Sequence, residues 1–355
     1  MISPVYSLFD HPHFSSLLNT GHIDELFTLD AEVSAMLRFE ETLAAAQAEF
    51  DLVPAGTAEA ISRAVRTQAP VDETLAAGVR RDGVVVPALV DWLRQAVGPD
   101  HAGHVHFGAT SQDAIDTGLM IRVSSALGRL GEDLASLTGA LTALSDRSGE
   151  TRIMGRTRMQ RALPIAFADR IATWRSPLDH HLQSLDGLKG RVCAVQLGGA
   201  VGTLEKLGSH GPDVRAALAT RLGLADPGRA WHAERDRIAD LAHWLSGVSG
   251  SLGKIGQDLA LMAQNEVAEL SLENGGLSSA MPHKRNPVHA EILVTLARFN
   301  AGQNALIHQA MVHEGERSGA AWTLEWLVLP QMMAATTAAL SLGRTCLESV
   351  RIPPP

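Results

Sequence analysis

Between Gly276 and Pro287 the chain places two hydroxyls (Ser278, Ser279), three basic side chains (His283, Lys284, Arg285) and an amide (Asn286) within twelve residues. The chemistry on offer is a hydroxyl that moves a proton beside cations that hold a carboxylate. Pro282, Pro287 and the leading glycine exclude a regular helix or strand, so the stretch is expected to be a loop on a scaffold. Such loops carry function more often than packing.

Two further segments have the same character. His106 to Asp113 sets Thr110, Ser111 and Gln112 at the start of a helix-compatible run, where hydroxyls and free N–H groups make an anion site. Thr110, Ser111 and Asp113 would serve equally as plain helix caps. From Gly155 to Pro164, Arg156, Arg158 and Arg161 would grip a polyanion or be ordinary surface charge. The glycines of Gly198 to Gly202 lack both a following Lys-Ser/Thr and a preceding strand, so a nucleotide loop is not expected. None of the 15 histidines falls in a His-Glu-x-x-His pattern, and no metal or other cofactor is expected. The alternating His101, His104 and His106 read as turn chemistry. Cys193 and Cys346 read as buried thiols.

Helices must hold these segments in place. A helix capped by Asp30 is expected to run to Phe50 and to stop at Pro54-Ala55-Gly56. Asp113 to about Ser145 repeats Leu119, Val123, Leu127, Leu130, Leu134, Leu137, Leu141 and Leu144 at helical spacing. Another helix should follow Pro164. Glu234 to Leu272 has no proline and keeps its apolar period, which predicts one helix of roughly 60 Å at 1.5 Å per residue. Val288–His313 and Trp326–Ser349 supply two more. Helices this long suit a bundle that also packs against neighbouring subunits.

Composition agrees with an all-α protein: aromatics are only 4% and alanine and leucine abound. A net charge of −9 with no long basic run argues against nucleic acid. Two cysteines fit a reducing, cytoplasmic compartment. No export signal is visible in Met1 to Pro4, and no run of 18 apolar residues predicts a membrane span.

Taken together the segments resemble the fumarase/aspartase superfamily, which includes argininosuccinate and adenylosuccinate lyases. Its mobile-loop signature, Gly-Ser-Ser-x-Met-Pro-x-Lys-x-Asn-Pro, matches Ser278 to Pro287, with Leu277 intruding after the glycine. Its Thr-Ser-x-Asp block matches Thr110 to Asp113, and its Gly-Arg-Thr-x-x-Gln-x-Ala-x-Pro block matches Gly155 to Pro164. Within the superfamily the chain is most similar to the bacterial carboxymuconate cycloisomerases, through Gln196 to Thr203, His313-Glu314, Glu316-Arg317, Trp322 and Glu325-Trp326.

Two departures discriminate among the superfamily's reactions. The lyases carry a histidine where this chain has Arg158. A second histidine, set in Arg-His-Asp-Val, is replaced by Arg81 in Arg80-Arg81-Asp82-Gly83. Lyases that expel an amine or hydroxide need the leaving group protonated. A carboxylate leaving group, as in the reverse of lactonisation, is already a stable anion. The arginines therefore favour a cycloisomerase acting on a small trianionic, muconate-type substrate.

The resemblance further implies that Ser278 is the proton carrier and that Lys284 and Asn286 stabilise an aci-carboxylate intermediate. It assigns Thr110, Ser111 and Gln112 to one substrate carboxylate, Thr157 and Arg158 to a second, and Arg81 to the third. Glu291 is expected to pair with Arg158. It implies a homotetramer with active sites shared among subunits, an N-terminal helical domain over 1–100, a long-helix domain over 101–345, and a tail over 346–355 in place of a full third domain. Alternatives are a 3-sulfomuconate cycloisomerase, a lyase acting on a succinyl-amine adduct, and a non-catalytic structural relative.

Overall fold

The computed structural model describes residues 7–21, 23–282 and 284–352. His283 of the loop signature, the Met1 to Pro4 start and Pro353 to Pro355 of the tail lie outside them. The chain is all-α, with three two-stranded sheets among the described residues. The N-terminal helices are α1 (Ile23–Leu26), α2 (Leu29–Ala48), α3 (Gly56–Thr67), α4 (Asp72–Asp82), α5 (Val86–Val97) and α6 (Pro99–Ala102). Next comes α7 (Ser111–Ser148), then a hairpin of β1 (Arg152–Thr157) and β2 (Gln160–Ala166). The chain continues through α8 (Phe167–Gln183), α9 (Leu185–Val192), α10 (Gly211–Leu222) and α11 (Asp236–Met262). β3 (Ser271–Leu272), β4 (Gly276–Leu277) and β5 (Arg285–Asn286) lead into α12 (Val288–Ala310), α13 (Gly319–Glu348) and β6 (Val350–Arg351).

The expected leucine ladder holds. Leu119, Val123, Leu127, Leu130, Leu134, Leu137, Leu141 and Leu144 are all buried along one stripe of α7, which packs with α8, α11, α12 and α13 into the main core. A second cluster joins α2, α3, α4 and α5 to Val195, Leu197 and the buried face of α10. Over an 18-residue window α13 has a mean hydropathy of 1.2, enough by length and composition for a membrane span. That window is 67% buried against the rest of the protein, so α13 is apolar because it is a core helix.

Three elements differ from the sequence reading. α2 is capped by Thr28, whose hydroxyl accepts from Ala31 N–H at 3.2 Å, rather than by Asp30. The predicted helix over 234–272 stops at Met262, giving roughly 40 Å at 1.5 Å per residue. Glu269, inside that predicted helix, instead accepts from Met154 N–H at 3.1 Å and Arg156 Nη1 at 2.7 Å. A tertiary ion pair outcompetes a helical continuation that propensity alone allowed. Finally, the segments around Arg158 and Ser278, read as loops, are hairpins: β1 pairs with β2, and Gly276-Leu277 with Arg285-Asn286.

Hydrogen bonds fix the direction of the bundle. Arg235, just before α11, bonds Asp116 in the first turns of α7, while Glu269, just after α11, bonds β1 beyond the end of α7. Arg317, ahead of α13, reaches Thr110, and Arg147 near the end of α7 donates to Leu347 O at 3.0 Å near the end of α13. Thus α7, α11 and α13 run in one direction and α12 returns between them. The bundle has a Thr110 end and a Ser278 end.

Candidate active site

At the Thr110 end the N-terminus of α7 is tightly built. Asp113 is fully buried, and its Oδ2 accepts from Thr110 N–H at 3.0 Å and Gly199 N–H at 2.9 Å. Its Oδ1 accepts from Gly198 N–H at 3.0 Å and pairs with His232 Nε2 at 2.7 Å. The glycines are required by crowding: a Cβ on Gly198 would sit 2.5 Å from Ala230 Cβ, and Gly199, at φ 69°, would bring one 2.8 Å from Gly108 O. The glycine cluster is thus a packing device clasped by Asp113, and the site in front of it is the helix N-terminus.

Thr110 Oγ1 accepts from Arg317 Nη1, which places an exposed guanidinium at the positive end of α7. Ser111 is half-buried beside it. Gln112 turns inward: it is buried, and its Nε2 donates to Asp116 Oδ2 at 3.1 Å and His232 O at 3.0 Å. Thr110 and Ser111 therefore face the opening, whereas the Gln112 amide braces the helix.

Beneath this pole lies a buried charge network. Arg235 donates to Asp116 Oδ2 at 2.8 Å and to Glu325 at 2.9 and 2.6 Å, and its guanidinium stacks 4.8 Å from the Trp231 ring centre. Trp322 Nε1 completes Asp116 at 2.9 Å. Burial pulls the Arg235 pKa down, but the two carboxylates outweigh it and hold it above its ordinary value. Upstream, His106 Nδ1 meets Glu40 Oε1 at 2.6 Å. Burial again pulls downward, and Glu40's charge and hydrogen bond lift the histidine above its usual range.

The Ser278 end is open by contrast. Ser278 Oγ accepts from Met281 N–H at 3.1 Å and Ala280 N–H at 3.4 Å, so two backbone dipoles point at the hydroxyl oxygen. Lys284 is exposed with no partner among the described residues, and Asn286 is half-buried opposite Gly276. Leu277 pairs with Arg285 and is 73% exposed, so the intruding residue occupies a hairpin register position and not a core one.

The other assigned residues are dispersed. Thr157 and Arg158 sit at the tip of the β1–β2 hairpin, where Arg158 (φ 48°) and Met159 (φ 69°) form a two-residue turn. Both positive φ values identify a type I′ turn, which favours Asn-Gly. Glu291 is exposed on the first turn of α12, and no ion pair joins it to Arg158 within the protomer. Arg81 spends its fork on its own neighbour, with Nε on Asp82 Oδ1 at 2.8 Å and Nη2 on Oδ2 at 2.6 Å. Among the described residues no group of three or more His, Cys, Asp or Glu is disposed to hold a metal.

One chain cannot assemble all three segments. Thr110 and Ser148 are separated by α7, roughly 57 Å at 1.5 Å per residue. Even folded straight back, the ten residues from Gly149 to Arg158 would leave about 24 Å to Thr110 at 3.3 Å per residue.

Sequence reasoning missed Arg317 as a contact of the helix pole, and it read Asp113 only as a cap. Asp116 and Glu325, acids within largely apolar helical runs, carried the available signal for the buried network.

A lyase family model matches residues 20–300, and the chain belongs to that family, the fumarase/aspartase superfamily. It is 38% identical over 345 residues to the 3-carboxy-cis,cis-muconate cycloisomerase of Pseudomonas aeruginosa, covering 96% of this chain and 75% of that protein. The lactonizing enzyme for the same compound from Pseudomonas putida superposes with a TM-score of 0.86 at 35% identity, covering 93% of this chain and 75% of that one. A fumarate lyase from Mesorhizobium sp. BNC1 superposes equally well, with a TM-score of 0.87 at 33% identity over 93% and 75% of the two chains. Fold alone does not separate the two reactions.

Proposed function

We propose that this protein is a cycloisomerase that converts 3-carboxy-cis,cis-muconate to its γ-lactone. One substrate carboxylate adds across a double bond. The new C–O bond forms as the π pair moves onto the carbon next to a second carboxylate, giving an aci-carboxylate. Ser278 Oγ–H protonates that carbon and is reprotonated from solvent. The N–H groups of Ala280 and Met281 stabilise the charge left on Ser278 Oγ, and Lys284 and Asn286 stabilise the aci-carboxylate. Thr110, Ser111 and Arg317 hold a substrate carboxylate at the α7 N-terminus; Thr157 and Arg158 hold another. Arg81 binds the third once released from Asp82.

Arg158 is the observation that carries this reading over a lyase. It is an exposed cation with no partner among the described residues, at the position where a lyase needs a proton donor. It supplies charge for a second substrate carboxylate and no acid for a leaving amine. Because the Thr110 and Arg158 segments of one chain stay far apart, the working unit is a homo-oligomer, a tetramer by family resemblance, whose sites combine segments of different copies.

The test is turnover of 3-carboxymuconate followed by absorbance, with 3-sulfomuconate and a succinyl-amine adduct alongside. Lactonisation by the native protein, lost by roughly 10³-fold or more in Ser278→Ala with substrate binding kept, is the expected result. Near-normal turnover in Ser278→Ala removes its proton-carrier role. Fumarate release without lactonisation replaces the cycloisomerase reading with the lyase one.

A further inference from the structure

A cavity of 270 Å³ lies between α2, the end of α4, α7 and α13, outside the residues assigned to the reaction. Its walls are largely apolar, with Val85, Ile115, Leu119 and Leu329 among them, and Arg122 and Trp326 line it as well. Arg122 has no carboxylate within ion-pair distance among the described residues. Its Nε and Nη1 reach only the carbonyls of Gly118 and Leu26, each at 3.4 Å, and its guanidinium lies 5.4 Å from the Phe27 ring centre. Burial depresses its pKa, with Glu32 opposing, as expected of a cation short of a counter-charge. The indole Nε1–H of Trp326 is buried without a partner. One donor of this cavity, Trp326 Nε1, is thus unsatisfied, a condition that costs free energy until an acceptor arrives, and beside it the Arg122 guanidinium has two carbonyl bonds, both at 3.4 Å, and no ion pair.

We propose that this cavity is a second ligand site, taking a small monocarboxylate with an apolar body, its carboxylate on Arg122 and Trp326 Nε1. Glu32 and Glu325 also line the cavity. Both Glu325 oxygens are occupied by Arg235, while half-buried Glu32 acts on Arg122 by its charge without an ion-pair contact, and together the two acids repel a second negative charge. That separates this site from one for a trianion: its ligand carries one charge and buries the rest against aliphatic and aromatic walls.

Titration calorimetry with benzoate as the probe, and benzamide as its neutral isostere, tests the assignment. Saturable benzoate binding is expected, kept in Thr110→Ala, with benzamide weaker. Arg122→Gln should weaken it roughly ten- to hundredfold, the worth of a charge-assisted hydrogen bond. Val79→Trp, a substitution at a cavity-lining residue that is 43% exposed, should block entry without disturbing the core, so it decides the matter if Arg122→Gln fails to fold. No saturable heat with benzoate overturns the proposal. So does binding unchanged in a folded Arg122→Gln or in Val79→Trp, or binding lost in Thr110→Ala and kept in Val79→Trp.

Discussion

The two ends of the bundle carry the same kinds of side chain in opposite conditions. At the Thr110 end Asp113, Asp116, Arg235 and Glu325 are buried and bonded to one another or to backbone. At the Ser278 end Lys284, Arg158 and Glu291 stand in solvent on hairpins or a first helical turn. A pole built like the first holds its geometry before substrate arrives, so binding there requires little reorganisation. At the second pole Arg156–Glu269 and Trp174–Asp258 brace the base of the hairpin and bundle, but Lys284, Arg158 and Glu291 lie outside that frame within one chain.

The largest effect that sharpens this contrast is at Asp113. Asp113→Ala removes four bonds from a buried carboxylate and leaves the Gly198 and Gly199 N–H groups and His232 unpaired. A loss of about 3–5 kcal/mol in urea unfolding is expected, the usual result of breaking a buried charged group from its partners. Lys284→Ala, its counterpart at the open end, should change stability by no more than about 0.5 kcal/mol. Equal losses at the two ends would erase the distinction.

Much of this was legible beforehand, for identifiable reasons. The α7 stripe repeats with a period that only a helix satisfies, and the three motif segments contain residue types that packing does not need. What could not be read are relations between distant positions. α11 stops at Met262 and Glu269, seven residues on, pairs with Arg156, 113 residues away, and no local propensity announces that. Asp113 is a cap by sequence and a four-bond hub only because Gly198, Gly199 and His232 fold onto it. The hairpin at Arg158 was hidden by its turn, since Arg-Met violates the Asn-Gly preference that would have marked it.

A second test compares function with stability. Arg158→Ala should lower kcat/KM by roughly a hundredfold, the cost of losing a charged contact to substrate, while leaving urea unfolding unchanged. Arg158→His should recover little, because a histidine does not reproduce the bidentate fork. Unaffected lactonisation in either variant would show that Arg158 is no anion clamp and that the exposed hairpin is merely surface.

The Thr110 end should also respond to pH through His106. Glu40 holds this buried histidine's pKa above the ordinary value of about 6.5. A raised folded-state pKa contributes stability that is complete below the unfolded value and is lost as pH rises through the folded one. The gap in unfolding free energy between the native protein and His106→Gln should therefore be widest near about pH 6 and shrink as pH climbs, with a slope no steeper than one proton's worth, about 1.4 kcal/mol per pH unit. A constant or widening gap would mean that the pair is neutral at both ends of the range.

The smallest expected effect is a gain. Met159 holds φ 69° with a side chain that is 69% exposed, so its strain is not repaid by burial within the protomer. A residue with a Cβ pays roughly 1–2 kcal/mol in this region, and glycine pays none of it. Glycine also loses more backbone entropy on folding, so Met159→Gly should stabilise the protein by about 0.5–1 kcal/mol net. If Met159 and Arg158 meet another copy's substrate pocket, that gain should come with a loss of kcat/KM, because the looser turn no longer aims the guanidinium. A gain in stability with turnover unchanged would instead assign the strained turn to chance, and would leave Arg158 to act from a mobile tip.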